Sequence, residues 1–440
     1  MRISTNMIYE VGVGAIGRQT SQMLQTQQQL ATGRRVLTPA DDPVASAGIL
    51  ETSQGVALTK QYTAALDNTS DTLALAESQL QGAGDLLIQV RTLAVQAGNS
   101  SLSNSDRQSI ATQMRASFEQ LMGIANTRDA SGQYIFSGFQ GNTQPFAGTV
   151  NEGVAYAGDD GQRFLQVSPS QQLAVSDSGN EIFNHVPSGN GVFATDYGAA
   201  NVGTGIVNGG NVLVPSQWQS PNNSGNLQVS FWTDTAGQNG PPNTTYYDLV
   251  DAAANPPVSL FTGTPPVPGG PTNTYSHAYV AGQPISFSGL AAPYNDFGVT
   301  VTISGKPASG DSFSVKSSSG QSVFATLGRF IKALERPLSG ATDDTTRLGN
   351  EVASMLGNVD QAHQSLLTTR AAIGARMGTA DALQSVNGDV SLQYQQTLSR
   401  LQDVDVTQAI SDLTRLNTQL QAAQQSFVKI SQLSLFNYLG

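Results

Sequence analysis

The chain has 440 residues, 12% of them charged, with 45 glycines, 19 prolines and no cysteine. That length suits two or three domains, and the missing cysteines exclude disulfides, thiolate metal sites, iron–sulfur clusters and a cysteine nucleophile. A net charge of −11, from 32 acidic and 21 basic residues, repels phosphate backbones and argues against nucleic acid as a partner, while no run approaches the roughly 18 apolar residues of a membrane span.

Met1 to Gly12 lacks the basic start and apolar stretch of a secretory signal, so any export is expected to take another route. Ile16, Met23 and Leu30 then recur every seven residues, with Val13, Thr20 and Gln27 between them, which predicts a coiled-coil strand. Thr38 to Asp42 reads as a joint between helices, because Asp42 before Pro43 fits an N-cap with proline at the first helical position. From Tyr62 the series Leu66, Thr69, Leu73, Ala76, Leu80, Ala83, Leu87, Val90, Ala94 and Ala97 steps by four and three, predicting a helical rod of roughly 50 Å. A second helix starts near Ser105 and carries Ile110, Met114, Phe118, Leu121 and Ala125 on one stripe. Gly132 reads as a helix C-cap, and Gln133 to Gly138 as a short hairpin on the bundle. A contact between neighbouring copies is the alternative reading of that segment.

Composition changes abruptly after this point. Between Pro145 and Ala325 lie 16 of the 19 prolines and both tryptophans, with 11 acidic and 3 basic residues. Short β-type runs alternate with turns: Phe164 to Val167, Leu227 to Trp232, Gly298 to Ile303 and Ser312 to Val315. This punctuation predicts an antiparallel sandwich or barrel, with the proline-rich stretch Asn255 to Pro271 as a loop or subdomain boundary. Beyond it helix returns, and Ala409, Leu413, Leu416, Leu420, Ala423, Phe427 and Ile430 step again by four and three. The fold class is therefore α+β: long terminal helices forming a coiled coil and a rod-like bundle, around a large central β-rich insert.

The end helices are almost free of charge. None lies between Arg18 and Arg34, or between Arg415 and Lys429, and glutamine fills both gaps. Solitary surface helices keep a charged face for solubility. Uncharged helices with weak apolar stripes gain order mainly by packing against partners.

No motif carries catalytic chemistry. Gly12-Val13-Gly14-Ala15-Ile16-Gly17 spells the dinucleotide fingerprint, but no buried strand precedes it and a Gln-rich helix follows. Small residues where helices crowd are the better reading. Gly158-Asp159-Asp160-Gly161 lacks the alternating ligands and distal Glu of a calcium loop and reads as an acidic hairpin turn. His185, His277 and His363 are far apart in sequence, and Asp343 with Asp344 read as helix-start charges. No catalytic residue, cofactor or metal ligand is assigned.

Several phrases, taken together, resemble the flagellin superfamily. They are Met1 to Met7, Leu30 to Val36, Pro39-Ala40-Asp41-Asp42-Pro43, Asn68 to Leu80, Arg91 to Ala97 and Tyr134 to Gly138, then Ile373 to Met377, Val404 to Ile410, Leu420 to Phe427 and Lys429 to Leu439. The resemblance covers about the first 145 and last 115 residues. The Asp-Asp-Pro joint, the phrase ending in Phe139 and the Leu-Ser-Leu-Phe-Asn-Tyr-Leu terminus are similar to the branch that joins hook to filament; flagellins typically carry Asp-Asp-Ala and a shorter apolar-basic tail. Gly161 to Val167 and Ala174 to Gly179 also resemble the start of that branch's insert, whereas Asn208 to Tyr275 match nothing.

The resemblance implies a non-enzymatic structural subunit of the bacterial flagellum, exported unfolded and assembled outside the cell. Its implied partners are other copies in a ring, the first hook-associated protein on the hook side, flagellin on the filament side and an export chaperone on the C-terminal helix, with neither nucleic acid nor membrane insertion. Residues 1–44 with 396–440 would be the assembly helices, 45–145 with 326–395 the rod, and 146–325 the outer domain, of one or two parts. The seam of Ile16, Met23, Leu30, Ala409, Leu413, Leu416, Leu420, Ala423, Phe427 and Ile430 is expected to carry assembly. The alternatives are a flagellin-type filament subunit and a binding module displayed in the β domain.

Overall fold

A computed structural model describes residues 5–270, 272–339 and 341–439, without the side chains of 5, 6, 8 and 430–439. Its helices are α1 (Thr5–Thr32), α2 (Pro43–Ala97), α3 (Asn104–Ala125), the single turn α4 (Pro215–Trp218), α5 (Val323–Glu335), α6 (Thr342–Gln402) and α7 (Val406–Leu439), with the β-rich insert between α3 and α5. Two compact units result, one of Met1–Asp67, Gln166–Gln171 and Asp381–Gly440, the other of Asn68–Leu165 and Gln172–Ala380.

In the second unit the heptad stripe of α2 becomes a buried seam: Thr69, Leu73, Ala76, Leu80, Ala83, Leu87, Val90, Ala94 and Ala97 are all buried. They share one core with Ile110, Met114, Phe118, Leu121 and Ala125 of α3, the apolar face of α5, and Val352, Met355, Val359, Leu366 and Ile373 of α6. Residues spaced four and three apart lie on one helix face, so each helix offers a continuous apolar stripe. Glu77 with Arg370 and Arg91 with Asp360, each at 2.7 Å, mark an antiparallel α2–α6 pairing. Ser103 starts α3 with a capping box: its side chain accepts from the Asp106 amide while Asp106 accepts from the Ser103 amide.

α3 stops at Asn126, so Gly132 is not its C-cap. Gly132 instead has φ +83° and closes a turn whose amide donates to Asp129 O, a left-handed position that glycine takes without strain. Tyr134 to Ser137 follow as turns, with an isolated bridge from Tyr134 to Arg128. Ile135 and Phe136 go into the helical core.

The segment after Pro145 divides between two cores. Phe146, Val150, Ile182, Phe183 and Val186 join the helices, where Phe324 meets Phe118, Phe146 and Phe183 with ring centroids 5.2–6.0 Å apart. A separate core begins at Phe193. One sheet runs in the order Val258–Ser259, Thr244–Asp251, Asn226–Asp234, Ser312–Ser317, Phe193–Tyr197, all antiparallel. A second centres on Val299–Ser304, flanked by Pro284–Ser286 and by Ile206–Val207 with Asn211–Val212. Leu227, Val229, Phe231, Phe313 and Val315 of the first share a core with Ile285, Val299, Val301 and Ile303 of the second, the alternation of a two-sheet sandwich. The four strands expected from sequence all form. Gly158 to Gly161 is not a hairpin turn, because the strands on its two sides, Gly153–Tyr156 and Phe164–Ser168, pair in separate ribbons; Asp159 Oδ1 instead accepts from the Phe139 and Gly161 amides at 2.9 Å and holds the link there.

In the first unit the start of α2 pairs with the end of α6 through small residues. A Cβ added at Gly48 would lie 3.2 Å from Leu401, and one at Gly55 2.8 Å from the Tyr394 ring. The glycines and the large residues are each seven apart, so each large side chain seats over a glycine of an antiparallel partner.

Candidate assembly interface

Thr32 ends α1, and Gly33 with φ +70° turns the chain, as a left-handed residue after a helix does. The two arms are stitched at this turn. Arg35 N donates to Gln402 O at 2.7 Å, Val404 N to Gly33 O at 3.0 Å, and the Arg35 guanidinium to Leu401 O at 2.9 Å. Both aspartates of the joint are spent on it. Asp41 Oδ2 accepts from the amides of Leu37 and Thr38, while Asp42 Oδ1 accepts from the Ala45 amide and caps α2 as expected before Pro43. The Thr38 amide chiefly holds the Asp41 carboxyl below the usual range; for Asp42 the Ala45 amide does so, helped by Arg35.

From this joint α1 and α7 run antiparallel and pack on each other: Gly33 meets Val404 at one end and Gly12 meets Phe427 at the other. The covered positions of α1 include Gly12, Ile16, Gln19, Met23, Thr26 and Leu30. Ile16, Met23 and Leu30 are thus on the seam and Thr20 is partly covered beside Gln19, but Val13 and Gln27 are exposed, and Gly12 and Thr26 take their places. The reason is Phe427. Its ring lies where a Cβ of residue 12 would be, at 2.8 and 3.0 Å, and its centroid is 5.0 Å from that of Tyr9, so the helix turns its glycine inward.

This contact accounts for one glycine of the nucleotide-like spelling, which lies within α1, and helix crowding does not explain the other two. Gly12 is crowded, while a Cβ at Gly14 would meet only the Arg18 side chain at 3.6 Å and one at Gly17 nothing. On α7, Ala409 and Leu420 are buried, and Leu413, Leu416, Ala423 and Phe427 are partly covered. The side chain of Ile430 lies outside the described residues.

The seam residues named from sequence therefore face one another within a single chain. What sequence reasoning missed is the second set. Met7, Val11 and Leu24 of α1 and Val406, Ile410 and Val428 of α7 remain about half or more exposed, as does Val13, which the heptad reading places on the seam. The signal for the others was present: apolar residues off the heptad stripe, on helices with no charged face. Among the described residues no helix is long and apolar enough to cross a membrane, and no group of three His, Cys, Asp or Glu could hold a metal. Hydrophobic association is the chemistry this surface offers.

Comparisons with known proteins match both ends of the chain. The N-terminal helical region of bacterial flagellin matches residues 3–141, and its C-terminal helical region matches 356–439. Flagellar hook-associated protein 3 of Salmonella typhimurium is 33% identical over 188 residues, 43% of this chain and 58% of that protein; its Escherichia coli counterpart gives the same figures. The chain thus spans somewhat over half the length of these curated relatives. Among solved structures, the flagellar junction protein FlgL of Legionella pneumophila superposes with a TM-score of 0.66 at 28% identity, over 81% of this chain and all of that one. FlgL of Xanthomonas campestris gives 0.64 at 28% identity, over 79% and 99%. Through its two helical ends and the fold between them, the chain belongs to the flagellin superfamily, among the hook-associated protein 3 (FlgL) proteins.

Proposed function

We propose that this chain is a structural subunit of the bacterial flagellum that forms the layer between hook and filament, outside the cell, and accepts flagellin. The observation that carries this reading is the α1–α7 pair. It closes its own seam and still leaves apolar residues open on two helices without a charged face. Such a pair is completed by neighbours, so the polymer sets its stability by mass action.

The partners that fit are further copies in a ring, the first hook-associated protein on one side and flagellin on the other. An export chaperone covering α7 before secretion would keep the open face from aggregating. In this reading 1–44 with 396–440 form the inner assembly layer, 45–145 with 326–395 the rod, and 146–325 the outer region. The seam residues hold α1 to α7; Met7, Val11, Val13, Leu24, Ile410 and Val428 face the next subunit.

A seeded assembly viewed by electron microscopy tests this. Purified protein is added to isolated hooks, followed by flagellin. A short terminal layer from which flagellin then grows supports the junction role. Long filaments of this chain alone would make it a filament subunit instead. Phe427→Asp should abolish incorporation while leaving the tryptophan-containing insert folded, and its normal incorporation would defeat the seam argument.

A further inference from the structure

The sequence of α6 contains the same three residues twice, Leu348-Gly349-Asn350 and Leu356-Gly357-Asn358, eight apart. Eight residues is just over two helical turns, about 12 Å, so both steps lie close to one face. Each residue type has the same task in both steps. Leu348 is buried in the helical core and Leu356 packs against it. The glycines make room: a Cβ at Gly349 would lie 2.7 Å from Ile206, and one at Gly357 3.3 Å from the Gly189 carbonyl. Gly349 thus admits a side chain and Gly357 a carbonyl, and the asparagines reach the backbone of the same segments.

Asn350 Oδ1 accepts from the Val207 amide at 3.0 Å, and its Nδ2 donates to Gly205 O at 3.0 Å. Bonding one amide and one carbonyl two residues apart is what a neighbouring strand does. Asn350, itself buried, thus stands in for a strand beside Ile206–Val207. Asn358 Oδ1 accepts from the Gly189 amide at 2.8 Å. Glu351 lies between these steps in sequence. It accepts from the Tyr197 hydroxyl at 3.3 Å and pairs with Arg329 at 3.0 Å. Burial and the Glu351 charge push the Tyr197 phenol up to about 12, so it remains a donor.

The β sandwich needs such a fixture. It has its own core from Phe193 onward. It joins the helical part through a two-stranded ribbon, Val186–Pro187 with Gly320–Gln321, and a lone two-stranded ribbon is marginal in water. We propose that the paired Leu-Gly-Asn steps form a latch: a surface of α6 shaped to receive one sandwich strand at Gly205–Val207 and the ribbon end at Gly189, and to hold the sandwich in one orientation. The asparagines are positioning residues, and the latch rests on the fold alone, whether or not the chain sits at a hook–filament junction.

The absence of native cysteine makes the test direct. Cysteines placed at Gln364 on α6 and Ser286 in the sandwich, both exposed, carry spin labels for distance measurement by pulsed electron resonance on the full chain. The parent should give one narrow distribution. Asn350→Ala with Asn358→Ala should broaden it several-fold, while the melting of Trp218 and Trp232 fluorescence moves by no more than about 2 °C. A distribution that stays narrow overturns the proposal. So does a tryptophan transition lost together with the distance, because the asparagines would then be holding the fold and not the orientation.

Discussion

Replacing Phe427 by alanine isolates the contact that fixes the register of α1 on α7. The ring rests on Gly12 at 2.8–3.0 Å and beside Tyr9 at 5.0 Å, yet it is only partly covered. Removing a fully buried Phe costs about 3–5 kcal/mol, so a half-covered one should cost ~2 kcal/mol. That corresponds to about a 30-fold rise in the population of locally opened α1–α7 pairs. Hydrogen exchange read by mass spectrometry resolves such local opening. Peptides from α1 and α7 should exchange about 30-fold faster, while those from 73–97 and 348–373 stay unchanged. Gly12→Val should reproduce the effect from the other side, because its methyl groups occupy the ring's place. If both variants leave α7 exchange untouched, the ring-on-glycine contact does not pair the helices.

Three further outcomes follow from the same reasoning. Asp248 has no exposed surface, and burial lifts its carboxyl from 3.8 to about 6, offset only in part by the hydroxyls of Thr274 and Ser259. Between pH 3.8 and about 6 the native state therefore holds a proton that the unfolded chain has released, so this carboxyl's contribution to stability is full below pH 3.8 and falls by ~2–3 kcal/mol as pH rises to about 6. Asp248→Asn should flatten that slope in urea titrations followed by tryptophan fluorescence between pH 4 and 7; an unchanged slope would exonerate this carboxyl. Phe324→Ala removes a ring packed against three others and should cost ~3–5 kcal/mol, seen as a clear drop in the helical melting temperature by circular dichroism; an unmoved midpoint would mean that this cluster does not hold the core. Gly55→Val should evict the Tyr394 ring, 2.8 Å from the added Cβ, and raise tyrosine exposure to solvent quenchers, whereas Gly14→Val, near only the Arg18 side chain, should not.

Periodicity was the most reliable guide where a helix meets its partner along its whole length. All ten positions of the α2 series from Leu66 to Ala97 are buried, as are all five named on α3. A heptad of this length has one face to bury and no competing pattern. The Asp42–Pro43 cap was equally legible, because capping is local chemistry between residues three apart. On α1 the stripe was weaker. Its spacing put Val13, Thr20 and Gln27 at the intervening positions, and Phe427, from the other end of the chain, placed Gly12 inside instead of Val13.

The sequence by itself determined the long helices, four of the strands, the capped joint and the resemblance at both ends, since each is written in spacing or in residues adjacent along the chain; it missed Thr244–Asp251, one of the longest strands of the sandwich. Tertiary structure alone decided three things. It assigned Phe146, Val150, Ile182, Phe183 and Val186 to the helical core and Phe193 onward to the sandwich, a choice between two apolar surfaces that a β-type run cannot express. It turned the seam of α1 and α7 inward upon itself, leaving other apolar residues to face outward. And it gave the two Leu-Gly-Asn steps their meaning, because a glycine that makes room for a distant segment and an asparagine that bonds its backbone can be recognised only once that segment has arrived from 143 to 169 residues away.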